Sequence, residues 1–218
     1  MIDPAILRKE RMRPYLLPPA LVALVLALAL GCTDSSGPGT PVTRQPANLN
    51  ILTLRTGHPA MFNDTVSFWA KKGQDAEGAI YFQDSHGGQG EEYLRLRIGQ
   101  QSLLALPNGL PIAMGDSVLI TVRVVHSDSI LFQLEPGGLA FSPSDPAELK
   151  IEYGEAGDDL DHNGTPGDSR DIQIEHQLAI WRQPLLIDDF IMLQGVKLED
   201  FNEIEAKLSG FSRYAIAY

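Results

Sequence analysis

A net charge of −11 over 218 residues, with 17 basic side chains against 28 acidic ones, leaves nucleic-acid phosphates no basic footprint, so no nucleic-acid partner is expected. The single cysteine excludes an intramolecular disulfide, and the fold must therefore stand on its apolar core.

In chain order, the first element is a basic cap followed by an apolar run. Arg8, Lys9, Arg11 and Arg13 precede Leu16 to Leu30, broken by Pro18 and Pro19, and Met12 would serve as a start as well as Met1. The unbroken part, Ala20 to Leu30, is too short for the roughly 20 residues a membrane helix needs. It suits the apolar core of a secretory signal. Ala29, Leu30, Gly31 and Cys32 resemble the bacterial lipobox: Gly31 and Cys32 match, while Ala29 and Leu30 stand in transposed order. Ordinary signal-peptidase cleavage therefore stays open beside lipoprotein processing. The resemblance implies that residues 1–31 are removed and that Cys32 carries a diacylglyceryl thioether and an acylated amine. More than one acyl chain is what stable anchoring requires. The expected location is the bacterial cell envelope, lipid-anchored. Thr33 in place of aspartate after the cysteine favours the outer membrane where there is one. Residues 1–31 hold four basic and two acidic side chains, so their removal deepens the charge by two, to −13. Such a surface attracts divalent cations.

Residues 32–50, rich in Thr, Ser, Gly, Pro and Asn, lack the apolar side chains to order themselves and are expected to form a flexible tether. From Ile51 to Tyr218 apolar residues recur with period two, the pattern of half-buried strands. Leu94, Leu96 and Ile98 share one face while Tyr93, Arg95 and Arg97 take the other. Val118, Ile120, Val122 and Val124 form a second inward set. Ile130, Phe132 and Leu134 make a third, and Leu149, Ile151 and Tyr153 a fourth. Ile172, Ile174, Leu178 and Ile180 read as a further strand, and residues 197–208 as strands turning at Asn202. Turn residues at Asn63, His86 to Gly88, Pro107 to Gly109, Pro136 to Gly138, Asp145 and Asn163 separate the runs. The predicted fold is all-β, an antiparallel sandwich of about nine to eleven strands over residues 51–218.

Two stretches carry a family resemblance covering about residues 115–218. Gly138, Leu139 and Phe141, leading into the strand at 147–153, resemble the Gly-Leu-x-Phe turn of ZU-type β-sandwich domains. Gly210, Phe211, Ser212, Arg213, Tyr214 and Ala215 resemble their closing His-Phe-Ser-x-Tyr-Ala strand. Some ZU domains cut themselves between that phenylalanine and serine, with the histidine as base. Here Gly210 stands in the histidine's place, and a hydroxyl without a positioned base is a weak nucleophile. The expectation is that Phe211 and Ser212 remain joined and that the domain is a binding or structural module rather than an enzyme.

The sharpest local signal lies between residues 158 and 171. Asp159, Asp161 and Asn163, followed by Gly164, place oxygen ligands at alternate positions on a tight turn. The Thr165 carbonyl comes next, with Asp168 as a further ligand and Asp171 within reach. That donor set suits Ca²⁺, which takes six to eight oxygens. A solvated polar turn is the competing reading. No helical pattern flanks it, so an EF-hand is not expected. None of the five histidines pairs with another His or Cys at zinc spacing. Asp84, Ser85 and His86, and likewise His126, Ser127 and Asp128, unite triad residue types, but as neighbours in sequence they read as turn residues. No phosphate-cradling glycine motif is present, and Gly87, Gly88 and Gly90 serve a hairpin turn. Trp69 and Trp181, with Tyr93, Tyr153, Tyr214 and Tyr218, offer stacking surfaces for a glycan. Their places within alternating runs point instead to core packing. The remaining expected partner is an unidentified protein or glycan.

Overall fold

A computed structural model describes residues 40–218. The predicted signal segment, Cys32 and the first part of the tether lie outside the described residues. Among the described residues there are fourteen strands and one α-helix, and every strand pairing is antiparallel. One sheet has seven strands in the order β1 (Thr43–Arg44), β11 (Phe190–Met192), β10 (Ala179–Gln183), β14 (Arg213–Ala217), β7 (Leu131–Glu135), β6 (Ser117–Val124), β2 (Thr65–Lys71). The second has five: β12 (Gly195–Leu198), β13 (Glu203–Leu208), β9 (Ala147–Glu152), β4 (Gln89–Ile98), β3 (Ala76–Gln83). A small ladder joins β5 (Leu103–Ala105) to β8 (Ala140–Phe141). The all-β sandwich expected from the period-two pattern is the fold. The strand count exceeds the expected nine to eleven because β1, β5, β8 and β11 are only two or three residues long.

Register explains which side chains meet. Across the five-stranded sheet, Ile80, Leu94, Ile151 and Ile204 stand opposite one another, all buried in the core. They face Ile120, Val122, Phe132, Leu134, Tyr214 and Ile216 of the other sheet in one continuous apolar layer. Three residues along, an outward row reads Glu77, Arg97, Glu148 and Lys207 from β3 to β13, charges alternating in sign across four strands. Such a row gains from every cross-strand neighbour. In a second outward row Lys150 stands between Arg95 and Glu205, and its Nζ lies 2.8 Å from Glu92, 2.9 Å from Glu152 and 3.1 Å from Glu203. Burial lowers the lysine's proton affinity, but hydrogen bonds to the three glutamates outweigh it, and the pKa rises above the ordinary value.

Four expectations need correction. Tyr93 is not on the outer face. Ile80 pairs with Leu94 but Tyr81 with Glu92, so Tyr93 is the extra residue of a β-bulge and turns into the core between Phe82 and Phe132. Trp69, expected in the core, stands outward on the edge strand β2 and is 66% exposed, because Val66, Phe68 and Ala70 take the inward positions. The tether ends earlier than residue 50. Thr43 and Arg44 pair with β11, and Leu49 packs with Leu131, Trp181, Phe190, Ala215 and Ala217 on the far face of the seven-stranded sheet. Finally, residues 172–177 are helical. Helix α1 spans Ser169–Gln177. Asp168 caps its N-terminus in a reciprocal capping box with Asp171. Its buried residues Asp171, Ile174 and Leu178 recur at three and four, the helical spacing, while Ile172 is half exposed. The hairpin expected around Asn202 is present. That residue takes the left-handed conformation, φ 52°, between a short 3₁₀ turn and β13.

Candidate metal centre

The segment that positions the acidic loop is β9 and its continuation. After Tyr153 a 3₁₀ turn, Gly154–Ala156, leads to Asp158. Leu160 then drops into the core, which leaves Asp159 and Asp161, one residue to either side of it, on the opposite side. A turn through His162 (φ 57°) and Gly164 (φ 87°) reverses the chain, and α1 begins at Ser169. Its first turn carries Asp171 back beneath the loop.

The result is a triad of carboxylates. Asp159, Asp161 and Asp171 each present an oxygen, all within 4.8 Å of one another. Asp171 is 3% exposed and is held rigidly. Its Oδ1 accepts from the backbone N–H of Leu160 at 2.8 Å and of Asp161 at 3.2 Å, and its Oδ2 accepts from that of Asp168 at 3.1 Å. Asp159 Oδ2 accepts from the Gly164 N–H at 2.9 Å, while its Oδ1 is buried with no hydrogen-bond partner. Asp161 accepts from the Asn163 backbone and side chain, each at 3.0 Å. A carboxylate oxygen that takes one N–H keeps a lone pair for a cation. Among the described residues, no Lys, Arg or His forms an ion pair with these three aspartates, or with Asp158 or Asp168. The nearby Arg170 guanidinium is spent on Gln173, 2.7 Å away, and the His162 ring on Thr53.

Of the five ligands read from the sequence, Asp159 and Asp161 are brought together, the Asp168 and Asn163 side chains are engaged in local hydrogen bonds, and Thr165 bonds the turn through its N–H. Asp168 is the helix cap: its Oδ1 accepts from the Arg170 and Asp171 N–H groups, and its Oδ2 from the Asn163 amide. The Asn163 amide, and behind it those backbone N–H groups, hold the Asp168 carboxyl below the ordinary carboxylate pKa. Asn163 turns its NH₂ toward Asp161 and Asp168 and its carbonyl toward the Thr165 N–H, 2.8 Å away. Thr165 thus serves the turn. The third carboxylate is Asp171. Its signal was present in the Asp168-Ser-Arg-Asp171 spacing, which is that of a capping box. The loop therefore runs into a helix whose first turn supplies an acidic ligand. An EF-hand loop ends in a comparable way, with its last carboxylate on the exiting helix.

Other sequence candidates disperse. Asp84 accepts from the backbone N–H groups of His86 and Gly88 rather than from a ring nitrogen. Phe211 and Ser212 are buried, and Ser212 Oγ accepts from Arg182 Nε at 3.0 Å. A Cβ at Gly210 would lie 2.7 Å from the Leu139 carbonyl, so a histidine there requires the backbone to move. The Tyr214 hydroxyl donates back to the Gly210 carbonyl and closes this corner. Trp181, Tyr93, Tyr153 and Tyr214 are buried and Tyr218 is half-buried, which leaves Trp69, opposite Leu119, as the exposed ring of the set. A concavity of about 400 Å³ on the five-stranded sheet is lined by Arg95, Arg97 and Lys150, but also by Asp75, Glu77, Glu148 and Glu205, which answer their charge.

No known family model, curated protein or solved structure matches the chain.

Proposed function

We propose that this chain is a non-catalytic binding or structural module of the bacterial cell envelope, anchored by lipid at Cys32, whose loop at residues 158–171 takes up Ca²⁺ outside the cytoplasm. The observation that carries the metal reading is the Asp159, Asp161 and Asp171 cluster, with a buried Asp159 oxygen that has no hydrogen-bond partner among the described residues. Three carboxylates this close repel one another unless a cation joins them. Waters complete the shell, and with three protein carboxylates the affinity falls in the extracellular range, about 0.1–1 mM. The export signal read from residues 8–32 delivers the loop to a compartment where calcium reaches that level. The resemblance to ZU-type sandwiches is consistent with a module that binds or supports rather than reacts. The Ser212 environment supports the same view, since a guanidinium cannot take the hydroxyl's proton.

Calcium titration by calorimetry tests the reading on the purified protein. Saturable heat is expected at millimolar Ca²⁺, and Asp161→Ala should abolish it while leaving the far-UV spectrum of the sheets unchanged. Absence of heat from the native protein at several millimolar Ca²⁺ refutes the metal site.

A further inference from the structure

The β10–β11 hairpin ends in three consecutive aliphatic residues that face water. Leu185 and Leu186 are each 64% exposed and Ile187 is 90% exposed. Scattered apolar residues are ordinary on a surface, but a contiguous group at one tip marks a contact. Gln183 at the base of the loop and Asp188 within it are occupied by bonds to the loop itself. Gln183, 4% exposed, donates its side-chain amide to the carbonyls of Leu186 and Asp188, both at 3.1 Å. Asp188 accepts the Leu185 N–H on its carboxylate at 3.1 Å and donates its own N–H to the Leu185 carbonyl at 3.0 Å. The tip is thus a turn that shows aliphatic side chains outward and bonds three of its carbonyls and two of its N–H groups from within. That is what a segment entering a medium without water needs.

The position of the hairpin identifies the medium. Strand β11 follows the tip directly and pairs with β1, Arg44 opposite Phe190 and Thr43 opposite Ile191. Only residues 33–42 separate Cys32 from β1. Ten residues span at most about 35 Å fully extended. The Met192 N–H bonds the Val42 carbonyl, so the chain leaves for Cys32 at the end of β11 away from the tip; the five residues from Ile187 to Met192 span at most about 17 Å, within the reach of that tether from a bilayer holding a lipid on Cys32. We infer that Leu185, Leu186 and Ile187 dip into the headgroup and acyl boundary of that bilayer, giving the domain a second, lipid-facing contact. This rests on the lipid-anchor reading of Cys32. Tethering raises the effective concentration of the tip at the surface, so a contact too weak to hold a free protein suffices. Asp189 is exposed beside the tip and the chain is acidic. The contact is therefore driven by apolar burial, indifferent to salt on neutral lipid, and weakened by anionic lipid most strongly at low salt.

Lipidation consumes the chain's own thiol, so Ile187→Cys offers one labelling site for an environment-sensitive fluorophore; Glu77→Cys, exposed on the other sheet, is the control. The mature protein is reconstituted into phosphatidylcholine vesicles with and without a spin-labelled quencher lipid. A blue shift at residue 187 and quenching several-fold stronger than at 77 are expected. Adding Leu185→Ser and Leu186→Ser should remove both, with the melting temperature unchanged. Aqueous emission at 187 while the protein sediments with vesicles overturns the inference and leaves the anchor intact. If intact mass shows no lipid and the protein does not sediment, the anchor reading falls. The tip is then judged by the same label under saturating vesicles, where a blue shift sustains it and none overturns it. A shift that needs native envelope and fails with protein-free vesicles also overturns it, in favour of a protein partner.

Discussion

Replacing Asp171 by asparagine separates a structural carboxylate from a metal-binding one. In the native loop this side chain receives three backbone N–H groups, two on one oxygen and one on the other. Asparagine keeps the oxygen that serves Leu160 and Asp161, but its NH₂ then meets the Asp168 N–H, donor against donor. Loss of that bond and of the charge assistance on the others costs about 2–3 kcal/mol. Removing a negative charge also relieves repulsion with Asp159 and Asp161. Both are only partly buried, so the relief is about 1–2 kcal/mol in total. Without calcium the variant is therefore down by about 1 kcal/mol, or about 2–4 °C in melting temperature for a domain of this size. With about 10 mM Ca²⁺ and a dissociation constant of about 0.1–1 mM, linkage stabilises the native protein by about 1.4–2.7 kcal/mol. The variant forfeits most of this, so the gap between the two proteins should widen to about 5–15 °C. Thermal unfolding by calorimetry, with MgCl₂ at equal ionic strength as control, measures both gaps. A gap that is the same with and without calcium makes Asp171 a helix-start carboxylate and nothing more.

Tyr93→Phe removes a buried hydroxyl that has no partner between Phe82 and Phe132, in a core that pushes the phenol's pKa well upward by desolvation. The variant should be as stable as the native protein or more stable, by about 1 kcal/mol in urea unfolding; a loss of 2 kcal/mol or more shows that the hydroxyl is satisfied after all. The intact mass of the purified chain should show no break after Phe211, and slow conversion to two fragments during storage would establish self-cleavage. Asp168 has a folded pKa held below its ordinary value of 3.8. Its contribution is therefore complete above that value and lost as pH falls through the lower folded one. Stability should drop on acidification below about pH 4. Asp168→Ala should flatten that part of the profile, and an unchanged slope removes the assignment.

The period-two pattern carried most of the fold, because burial on one sheet face is written directly as alternation: Val118, Ile120 and Val122, or Ile204, Ala206 and Leu208, point inward as their spacing requires. The pattern misled wherever a residue could satisfy two periods. Ile172, Ile174, Leu178 and Ile180 differ by even numbers, yet Asp171, Ile174 and Leu178 have helical spacing, and the Asp168 cap decides between them. A polar residue at a buried helix position went unseen because alternation counts only apolar ones. Tyr93 escaped because a bulge arises from strand pairing, which no single strand encodes. The acidic loop was half legible. Aspartates at alternate positions announced the turn, but the third carboxylate is fixed by where α1 begins.

The location of the loop connects its proposed cation to the proposed anchor. Residues 51–54 bridge to Ala217 and Ser129 and bury Leu52 and Leu54, so they form the strap by which the chain coming from residue 32 enters the sandwich. Two cross-links fasten the acidic loop and its lead-in turn to that strap. His162, at the loop's turn, bonds Thr53, and Glu155 meets Arg55 at 2.8 Å while the two backbones bond as well. A protein held to a membrane by its N-terminus takes any pull through the two-residue strand β1 first and through this strap next. An ion closing Asp159, Asp161 and Asp171 stiffens the loop to which the strap is tied. On the proposed anchor and cation, calcium would reinforce the end of the domain that bears the load, and chelation should speed amide hydrogen exchange in residues 51–58 and the loop together while leaving the sheet interior protected.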